Sequence, residues 1–153
     1  MAIQNRADLN NNPFILSGTS LAKNAEVLLT DAGRSVDLVR LTLMAKVAAT
    51  GKWVPFTDET AIDGTAIPQG IFLGDDVAAA DLVAGDVVDQ SILVGSALTY
   101  DDAQLVIENS KLLTTVILAT GGADNVFTQT VADYLENKGM FAESTVDIAG
   151  FEN

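Results

Sequence analysis

Any chemistry in this chain would fall to its carboxylates. The 153 residues include no histidine and no cysteine, against 21 aspartates and glutamates, so the usual general base and the soft metal ligands are missing. A Ser-His-Asp triad or a histidine or cysteine zinc site is therefore excluded within the chain itself. Three adjacent acid pairs are the candidates for acid–base work: Asp58/Glu59, Asp75/Asp76 and Asp101/Asp102. Two carboxylates flanking a bond can hydrolyse a glycoside. Neighbours along a strand point to opposite faces, however, and all three pairs read more simply as solvated acids in turns. Hard oxygen ligands in loops also suit calcium, but no loop has the ligand spacing and terminal glutamate of a calcium-binding loop. Gly121-Gly122 is followed by Ala123-Asp124, without the lysine and hydroxyl of a phosphate loop, and reads as a tight turn. The expectation is a protein that is not an enzyme, with no cofactor and no metal.

Charge is unevenly spread. Up to Lys52 six basic residues (Arg6, Lys23, Arg34, Arg40, Lys46, Lys52) meet four acidic ones, a net of +2. From Trp53 onward only Lys111 and Lys138 oppose seventeen acids, a net of −15. A surface this acidic repels phosphate backbones, so no nucleic-acid partner is expected. The simple reading is a soluble acidic surface; the sharper one has the basic third docking onto a partner while the acidic remainder faces solvent. No apolar run reaches the roughly 18 residues of a membrane helix, and the N-terminus lacks the charged-then-apolar pattern of a signal peptide. Folding in a cytoplasm without disulfides follows as the expectation.

Hydrophobic residues make up 48% of the chain and charged ones only 19%, enough apolar material for one folded domain. Residues 5–20 (NRADLNNNPFILSGTS) are polar around one apolar triplet, Phe14-Ile15-Leu16, and read as an arm with an anchor. Residues 25–30 and 39–47 read as strands. In the second, Val39, Leu41, Leu43, Ala45 and Val47 alternate with Arg40, Thr42, Met44 and Lys46 at period two. A turn at 49–52 leads into Trp53-Val54-Pro55-Phe56, a hairpin partner in which Pro55 marks an edge or a strand end. Further strands are predicted at 67–73, 86–90, 91–98, 104–108 and 111–120, with Asp63-Gly64 as a turn. One helix is predicted at about 130–138: Thr128 or Thr130 caps it, Asp133 completes a capping box with Thr130, and Lys138-Gly139 ends it. Val131, Tyr134, Leu135 and Lys138 share a face that packs on the sheet.

The predicted fold class is mainly β (α+β): a small barrel or sandwich of seven or eight short strands, one C-terminal helix and an extended N-terminal arm. The divisions are an arm at 1–24, a β-rich domain at 25–141 and an extension at 142–153. Trp53, the only tryptophan, is read in two ways, as core or, with Pro55 and Phe56 nearby, as an interface anchor.

The order of these motifs carries a resemblance. Residues 45–73 (AKVAATGKWVPFTDETAIDGTAIPQGIFL) give a strand, a Gly-Lys turn, an aromatic residue followed by Val-Pro, a polar Asp-Gly loop and an apolar strand. The following GDDVAAADLVAGDVVDQSILVGSAL adds an Asp-rich connection to a strand ending in Gly and Ala-Leu, and ENKGMF closes a last helix. This order resembles the lambda-type head decoration proteins of tailed bacteriophages. The resemblance implies a β-rich homotrimer, made in the host cytoplasm and placed on the outer capsid surface of the virion. It would contact the major capsid protein through its N-terminal arm and stabilise the phage head. Candidate interface residues are then Arg6, Phe14, Ile15, Leu16, Trp53 and Phe56. Another non-enzymatic virion or surface β module, such as a tail or adhesive domain with structural calcium, is the alternative.

Overall fold

A closed barrel and a small sheet are held by two hydrophobic clusters. The computed structural model describes residues 14–29, 36–83, 85–95, 97–118 and 129–143. In chain order the elements are β1 (Ile15–Gly18), β2 (Leu21–Leu28), β3 (Leu43–Lys46), β4 (Trp53–Pro55), β5 (Pro68–Phe72), β6 (Val87–Gly95), β7 (Leu98–Asp101), α1 (Val131–Glu136) and β8 (Met140–Glu143). Strands β2-β4-β3-β5-β6 close into a barrel, while β1-β7-β8 form a separate three-stranded sheet. The mainly β class with a single helix is thus the fold of the described residues.

The sequence of β3 shows how the two layers are held. Leu43, Met44 and Ala45 are all fully buried, although a strand's neighbours face opposite sides. Met44 packs inside the barrel with Val27, Trp53, Phe72 and Ile92, one residue from each barrel strand. Leu43 and Ala45 point outward and pack with Ile71 and Leu93 against Leu98 and Tyr100 of β7, Met140 of β8 and Val131 and Leu135 of α1. The helix and the small sheet therefore cover one flank of the barrel, and β3 is buried on both faces.

The predicted hairpin is present, with Met44 opposite Pro55 and Lys46 opposite Trp53. Gly51, at φ +72°, turns the chain between these strands. The strand predicted at 39–47 is shorter than its alternation suggests. Leu41 adopts φ +69°, a left-handed conformation that breaks an extended run. Its amide donates to the Phe72 carbonyl (2.8 Å), its carbonyl accepts from Val106 (3.0 Å), and the buried Thr42 hydroxyl donates back to Val39 (2.7 Å). The strand predicted at 86–90 and the first part of the one predicted at 91–98 merge into β6, because Ser91 is not a break but sits opposite Asn24 in the antiparallel ladder with β2, whereas Leu98 belongs to the next strand, β7.

Two predicted strands are absent as strands. Within 104–108 only Val106 bridges, to Thr42, and within 111–118 only Val116 bridges, to Thr130. The second segment serves the helix instead. The first amide groups of a helix have no partner inside it; here those of Val131 and Ala132 donate to the carbonyls of Thr115 (2.9 Å) and Leu113 (3.0 Å). The helix itself starts as predicted. Thr130 and Asp133 make the reciprocal capping box, with the Thr130 amide donating to Asp133 at 2.7 Å. Gly139, at φ +77°, ends the turn, and β8 then runs parallel to β7. Thr130→Ala is expected to lower stability by about 1 kcal/mol, read as a lower denaturant midpoint at unchanged slope.

The arm boundary at residue 24 needs correction. Residues 15–18 and 21–28 are strands β1 and β2, so from Phe14 onward the chain belongs to the fold. Likewise Met140–Glu143 is a strand of the small sheet rather than the start of an extension. Residues 1–13 and 144–153, the turn predicted at 31–33 and the Gly121-Gly122 turn lie outside the described residues.

Candidate functional site

The residues predicted as contacts for a partner are largely engaged by the chain itself. Phe14 stacks on Tyr100, with ring centroids 5.4 Å apart and 29° between planes. Ile15 pairs with Tyr100 across the β1–β7 ladder, and the Phe14 carbonyl accepts from the Asp101 amide at 2.8 Å. Phe14 and Ile15 both pack on the outer core cluster; Leu16 is half-buried. Phe56 is completely buried and Trp53 is only 4% exposed. Of the two readings of Trp53, the structure selects core, and Phe56 is likewise no surface anchor. Arg6 lies outside the described residues.

Four of the six paired carboxylates, Asp58, Glu59, Asp76 and Asp101, are engaged by groups of the chain itself. Asp58 accepts from the amide and hydroxyl of Thr60, at 2.8 Å and 2.6 Å, and these bonds hold its carboxyl below the ordinary range. Glu59 forms an ion pair with Lys111, whose donation likewise lowers its carboxyl. Asp76 accepts from the Arg40 amide at 2.6 Å. Asp101 does not lie in a loop as predicted but ends β7, buried, where it caps a short helical turn by accepting from Ala103 (3.1 Å) and Gln104 (2.8 Å). Among the described residues no three acids converge as a metal site.

One open groove of about 540 Å³ is lined by Leu105, Ile107, Leu112 and Leu113 with Asp102, Ser110, Lys111 and Thr114 at its margin. Lys111 is held by Glu59, and among the described residues no hydrogen bond joins Ser110 or Thr114 to a base. The groove therefore offers apolar contact area rather than an activated nucleophile. Of its apolar lining residues Leu112 is the most open, at 64% exposed.

No protein-family model matches the chain. No curated protein matches it.

Two features escaped the sequence reading. Tyr100 is fully buried, and its hydroxyl has no hydrogen-bond partner among the described residues; burial, followed by the charges of Asp102 and Glu136, pushes it far above the ordinary phenol range. Nothing local marks that burial, because it depends on β1 and α1 closing over β7. The second feature surrounds Trp53: the ammonium groups of Lys23 and Lys46 lie 5.6 Å and 5.9 Å from its ring centroid. A signal for it did exist. Lys23 and Lys46 stand at even spacing from the inward residues Val27 and Met44, which puts them on the inner side of their strands.

Proposed function

We propose that the chain is a structural decoration subunit, not an enzyme, that assembles as a homotrimer on the outer surface of a phage head and stabilises it by binding the major capsid protein. The single observation carrying this reading is the ordered run at 45–73, which resembles the head decoration proteins and maps onto three adjoining barrel strands, β4, β3 and β5. The geometry is compatible with that role. A cementing subunit needs a rigid body, broad contact surfaces and trimerisation to multiply weak contacts, and it needs no reactive groups.

The test is co-sedimentation with expanded heads that lack their decoration protein, taken from the phage that encodes this chain. Binding at a fixed copy number, with heads surviving higher temperature, is the expected result. Protein left in the supernatant at saturating concentration would end the proposal.

A further inference from the structure

The barrel carries opposite charge at its two ends. At one end Lys23 of β2 and Lys46 of β3 reach over Trp53, which fills the opening beside Gly70; a Cβ built on Gly70 would lie 3.0 Å from the Trp53 ring. Neither lysine has a carboxylate partner among the described residues, and Lys52 directly precedes Trp53 in sequence. The opposite end is closed by Leu38, Val77 and Leu82, which pack on the barrel interior. Around it stand Asp37, which accepts from Ala79 (2.7 Å), and Asp76 beside Arg40, together with Asp75, Asp81 and Asp86, all exposed. Among the described residues five acids thus face one base at this end, while two lysines lie nearest the tryptophan at the other, with Asp63 as the adjoining acid, its carbonyl accepting from Ala48 (2.8 Å).

A chain of net charge −13 keeps two ammonium groups at one indole ring, although pairing each with one of its many acids would be favourable. We propose that this cationic barrel mouth is a contact surface for a second copy of the same chain, which presents the acidic rim of its opposite mouth. The occupant follows from charge complementarity. Copies of so acidic a protein repel at long range, so association needs a local contact of opposite sign, and the acidic rim supplies it. A two-fold contact would set lysine mouth against lysine mouth. Joining unlike ends is head-to-tail, the class of interface that closes into rings. The contact goes beyond the proposed decoration role by naming the surfaces that join copies, and its test uses the isolated protein, so failure of head binding is a separate result.

Sedimentation of the full chain at low and high salt reads the contact directly. Because exposed charges are screened within about 10 Å at 0.1 M salt, self-association at 20 mM salt should weaken about tenfold at 0.5 M. K23E/K46E is expected to be monomeric at low salt, and so is D75K/D81K, which neutralises the acidic rim. Mixing these two variants should restore association, because each then offers the charge the other lost. K23Q/K46Q, which removes charge without adding acid, is the second variant should the glutamates impair folding; a normal circular dichroism melt verifies each protein. A wild-type chain that is monomeric at low salt, variants that associate like wild type, or a mixture that stays monomeric would each overturn the proposal.

Discussion

Trp53→Ala is expected to lower the stability of the protein by about 3–5 kcal/mol, the usual cost of truncating a large aromatic in a close-packed interior. The ring occupies the barrel between Val27, Met44, Phe72 and Ile92, and β4, which carries it, is only three residues long. Gly70 leaves the space opposite without a side chain to expand into the gap. The surrounding residues sit on hydrogen-bonded strands of a closed barrel, which collapses poorly onto a void. Against a typical total of about 5–15 kcal/mol, this is a large share. The variant lacks the only tryptophan, so unfolding must be followed by circular dichroism rather than fluorescence. Trp53→Phe should lose clearly less, since it keeps part of the volume. If Trp53→Ala unfolded at the wild-type denaturant concentration, the placement of the ring inside the barrel would be wrong.

Two truncations separate the arm from the fold. Deleting residues 1–20 removes β1, and with it the Phe14–Tyr100 stack, the Ile15 contact and the pairing of Ile15, Ser17 and Gly18 with β7. Half-buried Phe and Ile side chains, together with the lost aromatic pair, point to a loss of about 2–3 kcal/mol after allowing for the released chain entropy. Deleting residues 1–13 leaves every one of these contacts in place, so its melting temperature should match the full chain. On the proposed function, this shorter deletion also weakens head binding, because the resemblance assigns capsid contact to the N-terminal arm. A marked drop in melting temperature for the 1–13 deletion would assign those residues to the fold. Unchanged stability after the 1–20 deletion would show that β1 adds little to the sheet.

The capping box at Thr130 and Asp133 was legible in the sequence because a cap is a contract over three residues, a side chain meeting an amide one turn away. The hairpin at 43–55 was legible for a similar reason, its short turn leaving few alternative registers. Residues 111–118 were not, since their β-branched run fits a strand equally well. What turns them from strand to helix support is the position of α1, set by packing on Leu43 and Ala45 far away in the chain.

Composition alone settled the chemistry that histidine and cysteine would have provided, because no fold can supply an absent side chain. The order of the residues set the mainly β character, through period-two alternation and frequent turns. The tertiary structure decided which face of each strand is covered. Leu43, Met44 and Ala45 are ordinary apolar residues until the barrel closes around Met44 and the helix and small sheet cover the other two. It likewise converted Phe14-Ile15-Leu16 from an apparent anchor for a partner into an edge strand, because the surface that receives it, Tyr100 on β7, lies more than eighty residues away. Local preferences act over a few residues, whereas barrel closure and sheet partnering depend on pairings between distant segments. The gathering of Lys23 and Lys46 over Trp53 has the same origin: three residues on three strands meet only once the barrel is closed.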